Sequence, residues 1–478
     1  MVEQGKATHI LDAPEEVLST MHKDGSRRWM YPKQSKGKWY TRRKLVGWAL
    51  IVLFFLTPWV RIGGEPALLL DVVHRRFAIL GQVFYATDTV LLMLFGIALA
   101  FGVIWVTALF GRVWCGWACP QTVYMEFVFR PIDRLIEGNE RERRKLAERE
   151  WDGDKVMRVG AKLVIYTAIA AAMAHTFVAY FVGWDTLQVW MTGAPSKHWP
   201  FFLLMAGTTA LVVFDFAYFR EQMCTITCPY ARLQSVLMDK DSMIVSYDAG
   251  RGETRGKPKA RLSAAAKGSI GDCIDCGACV RTCPTGIDIR NGLQLECLGC
   301  TQCIDACDAI MIKLDREPGL IRYTSENTLD GNPTKILRPR VVIYTAIMTL
   351  FAGMLTYGLM GMGGLEVDVI RATGAPFVVL PDGTVANRVK ARMQNRSGQA
   401  RTVQMHIDAP EGATLRVVGE GSVELEPGQM KRLEAWVITP RGVFEGGRTT
   451  AELRFGDGEV DEKIDFALVG PEGPAKRK

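Results

Sequence analysis

The chain alternates between long apolar runs and strongly charged stretches. Five runs predict membrane helices, which need about twenty mostly apolar residues: 45–60, 87–110, 159–182, 201–219 and 341–362. The first is short and carries Pro58 near its end, yet WALIVLFFLTPW is too apolar for a surface loop. Residues 1–44 before it are largely polar and no small-residue cleavage site follows. It is therefore expected to remain as a helix and not to be removed as a signal. Beyond 362 the pattern changes to short alternating runs such as RVKARMQNRS, VQMHIDA, LEAWVITP and TAELRFGDGEV, broken by PDG, PEG, EPGQ and FGDG turns. Strands at that spacing predict an all-β immunoglobulin-like sandwich over 364–470.

Lys and Arg near the helix ends set the expected orientation. Lys33, Lys36, Lys38, Arg42, Arg43 and Lys44 precede the first helix; Arg112, Arg130, Arg134 and RERRK at 141–145 follow the second. The loop 183–200 has only Lys197 as a basic residue, while 61–86 is a mild exception with Arg61, Arg75 and Arg76. The N-terminus is thus expected inside and the sandwich outside. The formal net charge of +7 follows from these inner loops; no basic face interleaved with aromatics suggests nucleic-acid binding. The expected organisation is a cytoplasmic basic tail (1–44), a four-helix region (45–240), a linker (241–267), a cysteine-rich module (268–316), a second linker (317–340), the fifth helix (341–362), the sandwich (364–470) and a short tail (471–478).

All twelve cysteines fall into motifs. CIDCGACVRTCP at 273–284 and CLGCTQCIDAC at 297–307 share the spacing C-x2-C-x2-C-x3-C. In two-cluster bacterial ferredoxins the three close thiolates of a run hold one [4Fe–4S] cube and the fourth crosses to the other. On that logic Cys273, Cys276, Cys279 and Cys307 bind one cluster, and Cys297, Cys300, Cys303 and Cys283 the other. Zinc also takes thiolates, but its sites usually pair two CxxC hooks or mix Cys with His. Asp308 replaces the usual proline after the second run; it either lowers a cluster potential by its charge or caps a helix.

Cys115 and Cys119 in WCGWACPQ, and Cys224 and Cys228 in QMCTITCPYARLQ, form a duplicated CxxxCP at the inner ends of the second and fourth helices. Each follows a basic residue (Arg112, Arg220) and precedes a short amphipathic segment, which predicts an internal repeat of helix pairs. Pro120 and Pro229 suit the first turn of a new helix. Cys119 and Cys228 would then cap helix N-termini, where the dipole favours a thiolate. Four such thiols suit a soft metal such as Cu(I), a redox relay or a third cluster; the bland alternative is that they pack as small hydrophobes. His175, inside the third helix, is a functional suspect by its location but also a common packing residue, and His74 and His198 in outer loops are candidates to meet it. Asp88 and Asp215 lie near helix ends. Met125 and Met223 near the thiols offer thioethers or simply fill space. CxxCH, GxGxxG and P-loop motifs are absent from the sequence.

With these residues in hand the chain resembles the cytochrome c oxidase accessory protein family (CcoG, FixG and Rdx proteins). WCGWACPQ, CPYAR, the eight-cysteine segment and the terminal sandwich carry the likeness, whereas related membrane polyferredoxins are not expected to end in this tail. The resemblance implies a bacterial inner-membrane, multi-pass fold: membrane α-helical, with an inserted α+β two-[4Fe–4S] ferredoxin module and the sandwich in the periplasm. It also implies assembly of cbb-type cytochrome c oxidase, with cupric reductase activity turning Cu(II) into Cu(I). Expected partners are a cytoplasmic electron donor, a copper chaperone or oxidase subunits, and lipid. Two rival readings are a quinol-linked conduit to a respiratory reductase and a non-enzymatic redox-sensing scaffold.

Overall fold

A computed structural model describes residues 18–471 except 23, 86–87, 257–270, 361–363, 397–398 and 457–460. Parts of the expected N-terminal tail, first linker and last tail therefore lie outside the described residues. Four described helices are long and apolar enough to cross a membrane: Thr89–Phe110, Gly153–Val182, Pro195–Phe219 and Pro339–Met360. Together with the family likeness reported below, they mark a membrane protein. The run expected at 45–60 lies instead in a helix that starts among basic residues at Lys38 and stops at Leu56, where Pro58 closes it in a 3-10 turn, Thr57–Trp59. Its apolar stretch is too short to join the four, because proline removes a backbone donor and ends the helix early.

Contact within the helical region follows side-chain size. Along Gly153–Val182 the buried positions include Ala170, Ala174 and Val178, a strip of small residues one helical turn apart. Small side chains let neighbouring helices approach closely where lipid supplies no hydrophobic drive. Trp105 Nε1 donates to Thr345 Oγ1 at 2.8 Å, tying Thr89–Phe110 to Pro339–Met360.

The cysteine module is larger than its cysteines. Strand Ile244–Tyr247 pairs antiparallel with Ile321–Thr324, and all four residues of the first strand are buried. Both expected linkers therefore contribute structure to the module. Each strand is only four residues long, so neither shows a period until its partner is present. Residues 18–37, expected as an exposed tail, also pack: Thr20 and Ser35 are buried. Lys33 exchanges backbone and side-chain hydrogen bonds with Arg281 and Thr282 of the module.

A second compact unit comprises 61–67, 75–91 and 354–478. Its C-terminal part is a sandwich of two antiparallel sheets. In one, Thr414–Val418, Met430–Thr439, Val385–Asn395 and Leu365–Arg371 lie side by side, with Val378–Val379 off the path. In the other, the order is Ser422–Leu425, Arg401–Ala409, Arg448–Gly456 and Asp461–Val469. Alternation directs Val389, Ala391 and Met393 into a core with Leu453 and Phe455, as the period of two requires. Within this unit Arg396 pairs with Asp88 at 2.6 Å, so Asp88 is a structural anchor.

Candidate iron–sulfur and thiol site

The two cysteine runs adopt the same backbone. Asp275 and Gly277 flank Cys276 with positive φ (53° and 64°), and Gly299 and Thr301 flank Cys300 likewise (63° and 60°). Such left-handed turns build concavities of backbone amides that suit anionic groups, iron–sulfur clusters among them. In the second run Gly299 N–H points to Cys297 Sγ at 3.5 Å. Glycine supplies this conformation without strain at one position of each run; Asp275 and Thr301 adopt it with side chains.

Each run opens onto a cavity. One is lined by Cys273, Cys276, Cys279 and Cys307 with Tyr247, Arg290 and Met311 among its walls. The other is lined by Cys283, Cys297, Cys300 and Cys303, with Cys279 at its edge. Helix Gln302–Lys313 carries Cys303 and Cys307 one turn apart and so serves both cavities. Cys307 thus lines the cavity of the first run and Cys283 that of the second. Among the described residues no three His, Cys, Asp or Glu groups converge closely enough for a single ion. Thiols standing around a cavity instead fit a polynuclear sulfur-bridged group. Burial pushes the Cys279 and Cys300 thiols up to about 11 and Cys307 up to about 12. Asp308 lies inside helix Gln302–Lys313 and so caps no helix end; it accepts a hydrogen bond from Gly319 N at 2.8 Å and adds negative charge beside Cys307.

The CxxxCP motifs repeat as closely. Each opens with a π-turn, Trp114–Ala118 or Met223–Thr227, closed by a bond from the second cysteine's N–H to the carbonyl five residues earlier: Cys119 to Trp114 and Cys228 to Met223, both 2.8 Å. Cys119 and Cys228 then stand at the N-caps of helices that start at Pro120 and Pro229. The two halves cross-link reciprocally. Gln121, two residues after Cys119, donates to Asp215 Oδ1 at 3.1 Å; Tyr230, two after Cys228, shares a 2.6 Å hydrogen bond with Thr107. Thr107 and Asp215 occupy comparable places near the C-terminal ends of the helices Thr89–Phe110 and Pro195–Phe219.

These links gather the four thiols into one group, in which Cys115 and Cys224 each feel Cys119 and Cys228. Burial works against the thiolate at Cys115, Cys119 and Cys224; at Cys119 this runs contrary to the expectation from the helix end. Burial, and then the neighbouring Cys119, push Cys115 up to about 12. Burial likewise raises Cys224. At Cys119 the backbone N–H groups of Thr122 and Gln121 pull downward, but burial outweighs them. Desolvation of a charge exceeds what one helix end returns. Cys115 Sγ meets Gln234 Oε1 at 3.6 Å.

The thiol group abuts the second cavity. A Cβ placed on Gly116 would lie 2.6 Å from the Gly299 carbonyl oxygen and 2.9 Å from that of Leu298. The loop between Cys115 and Cys119 thus touches the loop between Cys297 and Cys300. Around this seam Trp117 Nε1 donates to Tyr323 Oη at 2.9 Å, and Tyr323 donates onward to the Gly299 carbonyl at 3.1 Å. Arg43 Nε donates to the Gly116 carbonyl at 2.8 Å. Arg112 Nη1 holds the carbonyls of Gln294, Leu295 and Cys297. Asp305, inside the second run, accepts the N–H groups of Trp39 and Tyr40 at 3.2 and 2.7 Å and caps helix Lys38–Leu56 from outside.

Behind the seam lies a buried polar network. Glu126 pairs with Arg130 and accepts from Gln302 Nε2 at 2.9 Å, and Asp133 pairs with Arg220 at 2.8 Å and accepts from Tyr166 at 2.7 Å. In one dimension these carboxylates are ordinary charges of an amphipathic segment, and nothing in the sequence marks them as functional.

The remaining candidates stay apart. His175 bonds the Ala171 carbonyl of its own helix at 2.7 Å, His74 pairs with Asp71, and His198 stacks on Trp190. The histidines therefore form no shared site among the described residues. Met125 is buried among aromatic side chains, and Met223 is half-buried.

Three family models match the chain. A family model described as a 4Fe-4S dicluster domain matches residues 219–326, and one described as a 4Fe-4S binding domain matches 92–138. The model for the IG-like fold at the C-terminal of FixG matches 355–471. The nitrogen fixation protein FixG of Rhizobium meliloti is 33% identical over 94% of this chain and 94% of its own length. Protein RdxA of Cereibacter sphaeroides is 34% identical over 83% of this chain and 85% of its own. RdxB of the same organism is 31% identical over 96% and 99%. With these relatives matched nearly end to end, the chain belongs to the FixG/Rdx family and is a membrane iron–sulfur electron-transfer protein.

Proposed function

We propose that this protein carries single electrons from a cytoplasmic donor, through two [4Fe–4S] clusters, to Cu(II) held at the CxxxCP thiols, and that the Cu(I) formed serves assembly of a cbb-type cytochrome c oxidase. Cys273, Cys276, Cys279 and Cys307 hold the first cluster; Cys297, Cys300, Cys303 and Cys283 hold the second. Such clusters supply reversible one-electron storage at a potential tuned by nearby charge and hydrogen bonds. Cys115, Cys119, Cys224 and Cys228 would draw together around the substrate copper, since no three of them converge on one ion in the structure as it stands, and soft thiolates favour the product Cu(I). Each copper ion gains one electron and the protein loses one.

The carrying observation is the seam, where Gly116 meets Gly299 without room for a methyl group. It supports direct passage between the second cluster and the thiols. Cys276, the exposed cysteine of the twelve, supports electron uptake at the first cluster. In this reading the protein lies in a bacterial inner membrane with the clusters inside and the sandwich in the periplasm. Residues 75–91 and the sandwich share one compact unit, which supports placing that loop and the sandwich on one side. There the sandwich meets a copper chaperone or oxidase subunits.

The test is anaerobic purification with iron and sulfide counts, EPR, and Cu(II) reduction measured with a Cu(I) trap. Stoichiometric Cu(I) from reduced protein supports the proposal. Reduced, cluster-bearing protein that leaves Cu(II) untouched overturns the copper step.

A further inference from the structure

We propose that Arg43 and Arg112 set the direction of electron flow: they stabilise the reduced state at Cys283, Cys297, Cys300 and Cys303 and raise its potential above that of the other set. This rests on the cluster assignment proposed above.

The two arginines come from different elements and meet the same seam. Arg43 lies on helix Lys38–Leu56 and its residue is 0% exposed. Its Nε is engaged by Gly116, but both terminal nitrogens have no hydrogen-bond partner among the described residues. Arg112 is also buried; its Nη1 is spent on carbonyls and its Nε is unpartnered. Buried donors nearly always find an acceptor, and a buried guanidinium needs a negative neighbour. Glu126, the carboxylate nearest to hand for Arg43, is already held by Arg130 and Gln302. The Arg43 guanidinium also lies 5.7 Å from the Phe127 ring centroid, but a ring face offers its donors no lone pair, and the sulfur ligands do. Arg43 stands within electrostatic reach of Cys300, and Arg112 of both Cys297 and Cys115.

The first set has the opposite surroundings. Its arginine, Arg290, acts on Cys279 but is paired with two carboxylates, Asp288 and Asp275, each at 2.6 Å, whereas the acid that acts on Cys300, Glu126, is itself paired with Arg130. Asp308 adds negative charge next to Cys307. Net charge and hydrogen bonds to sulfur are the levers on a cluster's potential. Two buried cations with free donors raise it; neutralised cations and an added carboxylate do not. Electrons taken up beside Cys276 would then run downhill to the seam.

The test is a potentiometric EPR titration of the anaerobically purified full chain with Arg43→Gln and Arg43→Lys. Arg43→Gln should lower one of two cluster potentials, shifting that one-electron equilibrium at least about tenfold, or 59 mV, while the other stays put. Arg43→Lys should recover most of the shift. Clusters present with both potentials unmoved, both moved equally, or no recovery with lysine overturns the proposal. A second measurement needs no variant. Protein labelled with 15N-arginine and reduced only at its higher-potential cluster should show guanidinium hyperfine coupling; absence of that coupling overturns the proposal even if Arg43→Gln fails to fold. Failure of the underlying assignment looks different, because the unsubstituted protein would then show no cluster signal at all.

Discussion

The two cysteine cavities share a backbone and differ in what stands outside it. Around Cys276 the chain is open to solvent, and Arg290 there is outnumbered by its partners Asp275 and Asp288. Around Cys300 it is sealed by the π-turn loop of Trp114–Ala118, by Arg43 and by helix Lys38–Leu56. An identical ligand pattern therefore yields one site facing solvent and one facing the thiols. Ligand spacing decides what is bound, and the packing around it decides what the bound group can exchange with.

This contrast can be broken at the ligands first. Cys300→Ser should remove the seam-side cluster, about half of the iron and sulfide, and abolish copper reduction. Cys276→Ser should leave the seam-side cluster in place and slow only its reduction by added donor. Metal analysis and EPR of both variants check this.

Gly116→Ala acts on the seam alone. Its new methyl overlaps the Gly299 and Leu298 carbonyls, which costs about 1–3 kcal/mol as overpacking. It should leave both clusters intact yet slow cluster-to-copper transfer by up to about a hundredfold, the scale of a misplacement near 1 Å. Stopped-flow oxidation of reduced protein by Cu(II) measures it; an unchanged rate would detach the seam from the route.

Asp305→Ala is smaller. It strips the cap from helix Lys38–Leu56 and leaves the Trp39 and Tyr40 N–H groups without that acceptor, for about 1 kcal/mol. Thermal unfolding in detergent should show lower stability, with the seam-side EPR signal broadened more than the solvent-side one. Arg290→Gln should matter least to stability, about 1 kcal/mol or less, because ion pairs near the surface contribute little. Its signature is instead a weaker salt dependence of donor reaction at the solvent-side cavity, read from rates at two ionic strengths.

Much of this was legible in one dimension. The cysteine spacing specified the crossed sets that line the two cavities, because a ligand hook is local and its geometry travels with the sequence. The CxxxCP duplication specified the two matched helix starts, since proline permits few conformations. The β-sandwich followed from period-two alternation. Less was visible where short pieces depend on partners. Ile244–Tyr247 and Ile321–Thr324 read as linker because a four-residue strand carries no period of its own. The first apolar run read as a span, although Pro58 ends its helix at Leu56.

The sequence alone thus determined the ligand types, their grouping, the apolar helices and the strand-rich tail. Each of these rests on interactions between residues a few positions apart. Tertiary structure alone decided that Gly116 meets Gly299, that Asp305 caps a helix some 265 positions away, and that Arg43, one of a basic run, is buried at the seam. Those facts arise from chain segments distant in sequence competing for the same space, and no local pattern encodes the outcome of that competition.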